Sequence, residues 1–528
     1  MRTVTELAKK DREIAELKDT VRSLTEEVDA LQRKLDRMNE LLLNAQRARF
    51  GQSSEKTKYV SPDQLQFFDE PEQEQNSKAP EPTEETFTVK AHERKKKRTV
   101  EELAAELPQK DVVLSLPEAG RICGCCGKPM KAIGKKFLKH EIEVIPRQVT
   151  MLAYYAETYA CPDCEKKTGY ANILTLNPPP PLMKHSLASP SAVADVMTQK
   201  YVDGIPLYRQ EKIWAREGVE LSRATLANWI IRSAEVWLKP MYKELRLYLL
   251  KQSVIHADET PVQVLKEDGK PATSESRMWV YASSTRTEQQ VRYFEYQPDR
   301  SGKHPGALLK DYNGCLVTDG YAGYNQVLNA VHCGCWAHMR RKWREAMPDG
   351  ATTANSKAAI GFNYCVKLFG EEKKLAGLSP EARKQARQAA VEPLLDAYWS
   401  WVEKLDPAPG SKLEDAVVYA RNQKDRLNAF LEHGEVDVSN NTAENAIRPF
   451  VVGRKNWLFY DTPKGAESGA IVYTLVESAK ANGLEPRKYL QTLLEDLRWV
   501  GRSPDHDRLS KLLPWAPGIH KSCAAMKK

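Results

Sequence analysis

Apolar side chains recur at seven-residue intervals through the first fifty residues, with charged and polar residues between them. A heptad repeat of this length predicts a coiled coil, and β-branched residues at its first position with leucine at its second favour two parallel strands. We expect residues 1–50 to form a leucine zipper that makes the chain a homodimer or a higher oligomer. The alternative is one helix packed on its own protein. The two apolar positions are filled by Leu7, Ile14, Val21, Val28, Leu35 and Leu42, and by Leu17, Leu24, Leu31, Met38 and Ala45.

A segment with almost no apolar residues follows the zipper. Between Asp69 and Glu85 there are seven acidic residues, one lysine and three prolines. This composition predicts a largely disordered linker over residues 51–110. The basic run Arg94–Arg98 within it is typical of a solvated tether and would add phosphate affinity that does not depend on sequence.

Two closely spaced cysteine pairs flank a stretch of strand-like alternation around Glu141–Tyr159. Pairs of this spacing predict a four-thiolate zinc ribbon over residues 111–176, with a structural rather than a catalytic ion. Four buried free cysteines would not explain the paired spacing. Cys125 is a spare thiol in the first cluster. The expected Zn²⁺ ligands are Cys123, Cys126, Cys161 and Cys164.

Helical periodicity begins after the proline-rich break at residues 177–181. Ile205–Arg216 predicts an amphipathic helix, a turn containing Gly218 follows, and Ser222 is a typical N-cap for a second helix to about Val236. This order indicates a helix-turn-helix-like DNA-binding domain over residues 182–250, although helical hairpins with a glycine turn are also common core elements. The side chains of the second helix that could reach DNA are Arg223, Thr225, Asn228 and Arg232.

From residue 251 onward the pattern becomes that of strands. Ser253–Asp258 is β-rich and ends in an acid, strands are predicted at Met278–Ala282 and Val291–Tyr296, and Gly314–Asp319 ends in a second acid. A carboxylate that closes a buried strand is costly unless a cation neutralises it, so the two acids indicate a metal site. Each aspartate alone has the simpler explanation that it caps the following turn.

Glu444 is the candidate for a third acid. N-cap residues at Ser439–Thr442 predict a short helix that presents Glu444 and Arg448 on one face, and the alternative is an intrahelical ion pair. Acids on a first strand, on a fourth strand and on a later helix have the order of a ribonuclease-H-like sheet. The expected segments are a catalytic domain at 251–347 and 439–480, a helical insertion at 348–438 and a C-terminal helical region at 481–528.

Composition and charge narrow the class of protein and its location. A chain of 528 residues, 41% hydrophobic and 28% charged, with a mean hydropathy of −0.57, predicts a soluble multidomain α/β protein. No 18-residue stretch is free of charge and the N-terminus is charged and helical, so we expect no membrane span, no secretory signal and a cytoplasmic location, at the nucleoid when bound to DNA. A net charge of +8 permits a DNA partner without requiring one.

The chain resembles the large DDE transposases of the insertion sequence 66 family, and the resemblance covers essentially its whole length. Several ordered matches of this kind are more specific than any single motif. The matching stretches are Arg49–Lys56, the two cysteine pairs, Lys200–Gln210, His256–Val262, Thr318–Tyr324, Cys335–Arg341, Asn440–Glu444, Gly453–Trp457 and Lys480–Pro486.

The resemblance implies that Asp258, Asp319 and Glu444 are the DDE triad and hold Mg²⁺ or Mn²⁺. Glu259 is the neighbour of Asp258, but adjacent strand residues face opposite sides, so only one can join the cluster and we expect Asp258.

Cys335 and His338 match a C-x2-H signature of DDE transposases. We expect them to brace the site, because a complete zinc site would need further ligands such as Cys333 or His332. Cations near the third acid are expected to contact phosphates, or else are ordinary surface cations. They are Arg448, Arg454 and Lys455.

The activity implied by the resemblance is Mg²⁺-dependent cleavage of phosphodiester bonds at the ends of the element and transfer of the resulting 3′-hydroxyl into target DNA. The implied partners are transposon ends, target DNA and small companion proteins of the element. Two alternatives stay open: a zinc-containing dimeric DNA-binding protein with an idle catalytic domain, and a ribonuclease-H-like nuclease that cuts without joining.

Overall fold

The computed structural model describes residues 173–347, 356–501 and 503–525, together with shorter stretches before them, of which 17–25 and 147–160 are the longest. Residues 52–151 form one compact unit, and the rest of the chain forms another. Within these described ranges, no helix combines the length and the apolar character needed to cross a membrane.

The predicted zipper and zinc ribbon are described only in part. Residues 17–25 are helical, and the heptad side chains of Leu17, Val21 and Leu24 are more than half exposed. An apolar seam left open in one chain is what a zipper presents to a partner helix. Cys126 is exposed and free. Most of the heptad repeat, the linker, and the predicted zinc ligands Cys123, Cys161 and Cys164 lie outside the described residues.

A mixed five-stranded sheet forms the centre of the larger unit. Its strands lie side by side in the order β5-β4-β3-β6-β7, with β3–β4 and β4–β5 antiparallel and β3–β6 and β6–β7 parallel. This order and these directions are consistent with the predicted ribonuclease-H-like core. The strands are β1 Thr158–Ala160 and β2 Ile173–Thr175, which form a separate antiparallel pair, then β3 Val254–Gln263, β4 Glu275–Ser283, β5 Arg292–Gln297, β6 Cys315–Val317 and β7 Val331–Cys333.

Strand β3 is longer than the sequence predicts. It continues past Asp258 to Gln263, so the expectation that this aspartate closes its strand was wrong, and Asp258 pairs with Val280 of β4. Strand β6 pairs with β3 only as far as His256. Between Glu259 and Val262, β3 therefore pairs with β4 alone, and the Gln263 carbonyl then accepts the Tyr460 N–H at 3.0 Å. An edge position of this kind tolerates Pro261.

Four helices within residues 190–249 lie directly before the sheet in the chain. The predicted N-cap is confirmed, because the Ser222 hydroxyl accepts the Thr225 N–H at 3.2 Å. The second helix of the hairpin does not end near Val236, since the π-helical turn Ala234–Leu238, with Ala234 and Leu238 fully buried, continues it into the next helix. These helices are α1 Pro190–Tyr201, α2 Leu207–Arg216, α3 Arg223–Ser233 and α4 Lys239–Leu249.

The residues predicted as an insertion form helices that share a core with the sheet. Val254, Val317 and Cys333 of the sheet belong to the same buried cluster as Tyr398 and Trp399 of these helices. The catalytic sheet and the insertion are therefore one packing unit. Two helices precede this segment, α5 Lys303–Leu308 and α6 Trp336–Ala346. The helices of the segment itself are α7 Lys357–Lys374, α8 Pro380–Ala390, α9 Glu392–Glu403 and α10 Lys412–Asn428.

Five helices complete the described chain, and one of them covers the outer strand of the sheet. The Phe294 N–H of β5 donates to Thr474 Oγ1 at 2.8 Å, and the Arg292 N–H donates to Ser478 Oγ at 3.0 Å. Both hydroxyls come from the almost fully buried helix α12, so the outward N–H groups of this edge strand are satisfied. The helices are α11 Asn441–Trp457, α12 Pro463–Ala481, α13 Pro486–Val500, α14 His506–Ser510 and α15 Pro517–Cys523.

Candidate active site

The fold brings the three predicted acids into one region. His256 lies opposite Val317 in the parallel register of β3 and β6, and continuing that register places Asp258 opposite Asp319. Glu444 comes from the first turn of α11, which packs on β3. Burial, followed by the negative charges of Glu259, Asp319 and Glu444, raises the pKa of Asp258 well above its usual range. The carboxylates are therefore close enough to repel one another.

Local hydrogen bonds fix the loop that carries Asp319. The Thr318 N–H donates to the Cys333 carbonyl of β7 at 3.1 Å, which extends the sheet by one bond beyond β6. The Asp319 carboxylate then accepts the Tyr321 N–H at 2.8 Å. This is the turn-capping role that an isolated aspartate plays. It occupies one carboxylate oxygen and leaves the other available for a ligand.

Asn440 positions the helix that carries Glu444. Its side-chain amide donates to the Ala257 carbonyl at 2.8 Å, its oxygen lies 3.3 Å from His256 Nδ1, and its backbone N–H donates to Cys335 Sγ at 3.1 Å. Asn440 occupies the N-cap position of α11 without capping it through its side chain, so the predicted capping by Ser439–Thr442 was wrong here. The side chain joins the helix to β3 instead.

Cys335 and His338 lie beside Glu444. Ligand atoms of the three side chains all lie within 4.8 Å of one another, and His338 Nδ1 is 3.7 Å from Glu444 Oε1. Burial lowers the pKa of His338, although the Glu444 charge opposes that shift. The further zinc ligands considered from the sequence are engaged elsewhere: His332 Nε2 lies 3.0 Å from the Val327 carbonyl, and the free Cys333 thiol donates to the Val331 carbonyl at 3.8 Å.

Glu259 belongs to a buried cluster that the sequence analysis did not identify. Its carboxylate accepts the Arg300 Nε–H at 2.7 Å on one oxygen and the Tyr324 hydroxyl at 2.7 Å on the other. Its side chain is only 3% exposed. Arg300 thus places a positive charge next to the acids, and the Asp319 charge helps to raise the pKa of this guanidinium. The only sequence signal was that Glu259 and Tyr324 fall inside two of the motif stretches.

The cations predicted to contact DNA occupy two places. Arg448, Arg454 and Lys455 lie on α11 with Glu444, where Arg454 donates to Thr260 Oγ1 of β3 at 3.3 Å and Lys455 is exposed. Helix α3 carries the others. Asn228 and Arg232 are exposed, and Arg223 forms an ion pair with Glu211 of α2 at 3.4 Å. The outer face of α3 is thus polar while Leu226, Trp229 and Ile230 are buried.

The donor set fits a divalent cation of the Mg²⁺ type. Carboxylate oxygens are the ligands that Mg²⁺ and Mn²⁺ prefer. Glu444 Oε1 is buried, and no hydrogen-bond donor reaches it within the described part of the chain. A buried carboxylate oxygen next to two further acids is a site where a cation would relieve repulsion.

The mixed sheet with its helices is consistent with the ribonuclease-H-like core of the DDE class of transposases. A family model described as "Transposase IS66 family" matches residues 185–468, which is more than half of the chain. The chain therefore belongs to the IS66 family of transposases. Three further models match in order along the chain: "Transposase C of IS166 homeodomain" at 37–112, "zinc-finger binding domain of transposase IS66" at 121–165 and "IS66 C-terminal element" at 474–515.

Two curated relatives are similar in sequence to this chain over most of its length. "Uncharacterized protein y4jD" of Sinorhizobium fredii (strain NBRC 101917 / NGR234) is 29% identical over 436 residues, which are 79% of this chain and 82% of the relative. "Uncharacterized protein y4qI" of the same strain is 28% identical over 74% of this chain and 73% of its own length. Both similarities are to proteins whose names state no activity.

Proposed function

We propose that this transposase cleaves phosphodiester bonds at the ends of its element and joins the exposed 3′-hydroxyl to target DNA, in a reaction that depends on Mg²⁺ or Mn²⁺. Asp258, Asp319 and Glu444 are the proposed catalytic residues. The observation that carries the proposal is the convergence of these carboxylates on one region, from β3, from the end of β6 and from α11.

The three carboxylates would hold the metal ions. Bound Mg²⁺ would lower the pKa of the attacking water or 3′-hydroxyl and would stabilise the departing oxygen. Asp258 is fixed by its place in a paired strand, Asp319 by the Tyr321 N–H, and Glu444 by the attachment of α11 to β3 through Asn440. The protein therefore provides preorganised ligands, and its own side chains form no covalent intermediate.

Positive and polar groups on α11 and on α3 are proposed to hold DNA. Arg448, Arg454 and Lys455 follow Glu444 along α11, and Asn228 and Arg232 lie on the exposed face of α3. Cationic side chains contribute affinity for phosphates, and an exposed helix face can reach base edges. We further propose that the zipper makes the active species a dimer or a higher oligomer and that the ribbon cysteines hold Zn²⁺.

The test is a cleavage and joining assay with purified full-length protein. The substrate is a labelled duplex carrying the terminal repeat of the element that encodes the chain, with a plasmid as target and Mg²⁺ present. Asp319→Asn should abolish cleavage while binding of the duplex persists, because the change removes a metal ligand and keeps its shape. Asp425→Asn, on the exposed surface of α10, is the matched control and should react like the wild type.

The outcomes separate this proposal from its alternatives. A wild-type protein that binds the duplex but never cuts it under these conditions would be a DNA-binding protein with an idle catalytic domain. Cleaved ends without joined products would identify a nuclease. Equal cleavage by the wild type and Asp319→Asn would overturn the assignment of the acids.

A further inference from the structure

A second group of metal-binding side chains lies on the opposite end of β6 from Asp319. Cys315 begins that strand, and His433 and Glu435 lie in the turn between α10 and α11. A thiol sulfur, an imidazole nitrogen and a carboxylate oxygen from these residues all lie within 4.8 Å of one another. His433 Nδ1 is 3.8 Å from Glu435 Oε1. We propose that Cys315, His433 and Glu435 bind a zinc ion that is separate from both the acidic site and the cysteine ribbon.

The chemistry of the three donors selects this class of ion. Thiolate, imidazole and carboxylate are the ligands of Zn²⁺, whereas Mg²⁺ prefers oxygen alone. Zinc bonds of about 2.0–2.3 Å place ligand atoms roughly 3.3–3.8 Å apart in a tetrahedron. The observed separations need to contract by only about 1 Å to reach that spacing. One thiolate and one carboxylate would also balance the charge of the ion.

Cys333 provides a second thiol at the same place. It lies on β7 opposite Val317 of β6, its Sγ is 3.8 Å from the Val331 carbonyl, and its thiol lies beside that of Cys315. Both cysteines are buried and free. Zinc binding would form bonds from the Cys315 thiolate, a His433 nitrogen and a Glu435 oxygen, and the thiol proton would leave to solvent.

The turn that supplies two of the donors is already ordered. The guanidinium of Arg387, which is fully buried, donates to the carbonyl oxygens of Phe430 at 2.7 Å, His433 at 3.0 Å and Val436 at 2.8 Å. Glu372 neutralises this arginine at 2.8 Å. A backbone held at three points presents His433 and Glu435 with little entropy left to lose on binding.

Solvent has a route to the site. The side chains of His433 and Glu435 are 32% and 34% exposed, and Glu435 lines a cavity of about 320 Å³ with Val254 and Arg383. The positive charge of Arg383 at this cavity faces Asp437, 3.9 Å away. An ion could therefore enter without opening the core. A bound ion would link β6 to the turn that precedes α11. Strand β6 leads to Asp319, and α11 carries Glu444.

Metal analysis of the purified full-length chain tests the proposal. After loading with zinc and removal of unbound metal, the His433→Gln and Glu435→Gln variants should each hold about one zinc ion fewer per chain than the wild type, since each such site holds one ion. The matched control is Glu432→Gln, in the same turn, whose partner is Lys384 at 2.9 Å and which should keep the wild-type content.

The ribbon is separated from the new site by repeating the measurement in a Cys126→Ser background. In that background, adding His433→Gln should remove the zinc that remains bound. A second readout is Co²⁺, whose thiolate absorption should fall in Cys315→Ala. Because His433 is partly exposed, its variant decides the matter if Cys315→Ala fails to fold. Equal zinc content in His433→Gln, Glu432→Gln and the wild type would overturn the proposal, whatever the result of the cleavage assay.

Discussion

Removing one charge from the acidic cluster should stabilise the metal-free protein. Asp258→Asn keeps the shape of the side chain but eliminates a carboxylate whose pKa is raised by burial and by Glu259, Asp319 and Glu444. Each pKa unit by which the folded state lies above the unfolded state costs about 1.4 kcal/mol of folding free energy. We expect a gain of at least about 1 kcal/mol in the free energy of unfolding without metal.

The gain has a defined pH dependence. A raised carboxyl pKa means that the folded state binds the proton more tightly than the unfolded state, so the wild type loses stability as pH rises from the unfolded value of about 3.9 to the folded value. The difference in the free energy of unfolding between Asp258→Asn and the wild type should therefore be absent below the unfolded pKa and complete above the folded pKa.

Mg²⁺ should move the difference in stability in favour of the wild type. An ion at a hundred times its dissociation constant adds about 2.7 kcal/mol to the wild type, and the variant with one ligand fewer should gain much less. The assay is urea unfolding followed by tryptophan fluorescence, since Trp279 and Trp343 are fully buried around the sheet, with and without Mg²⁺. Asp425→Asn is the matched control on an exposed site. If Asp258→Asn lowers metal-free stability, or if Mg²⁺ stabilises it as much as the wild type, the account of this cluster fails.

Three further results are expected. Asn440→Ala leaves the Ala257 carbonyl and His256 Nδ1 without their partner in a buried place, so urea unfolding should show a loss of roughly 2–4 kcal/mol, and a loss below about 1 kcal/mol would contradict its positioning role. Thr474→Val keeps the side-chain volume but removes the acceptor of the Phe294 N–H, so the free energy of unfolding should fall by about 1–3 kcal/mol in the same assay. An unchanged free energy of unfolding would show that the N–H of the edge strand finds another acceptor. Deletion of residues 1–46 should convert the oligomer to a monomer by light scattering, and an unchanged mass would reject the zipper.

Periodicity was enough to predict four of the five strands of the sheet and their order along the chain, whereas the three-residue strand β7 was not predicted. Alternation and β-branched residues mark β3, β4, β5 and β6 locally, and Ser222 marks the start of α3 by its own chemistry. These features depend on residues within a few positions of each other. The full length of β3 was not predictable in this way, because Pro261 is tolerated only where β6 has already ended.

The positioning contacts of the site could not be read from the sequence. Asn440 reaches Ala257 across 183 positions, and the same residue type next to a helix start predicts a cap on local grounds. Glu259 is bound by Arg300 and Tyr324 from a loop and a 3-10 turn that no periodic pattern places beside β3. The acids were found because each belongs to a recognisable stretch, whereas their supports depend on tertiary packing.

The tryptophan-rich core that joins the sheet to α7, α9 and α10 has an evolutionary consequence. Because Tyr398 and Trp399 of this helical segment share one buried cluster with residues of the sheet, the segment cannot be exchanged among relatives as an independent module. Replacement would require matching changes in Val254, Val317 and Cys333. Divergence within this part of the family should therefore proceed by coordinated substitution rather than by shuffling.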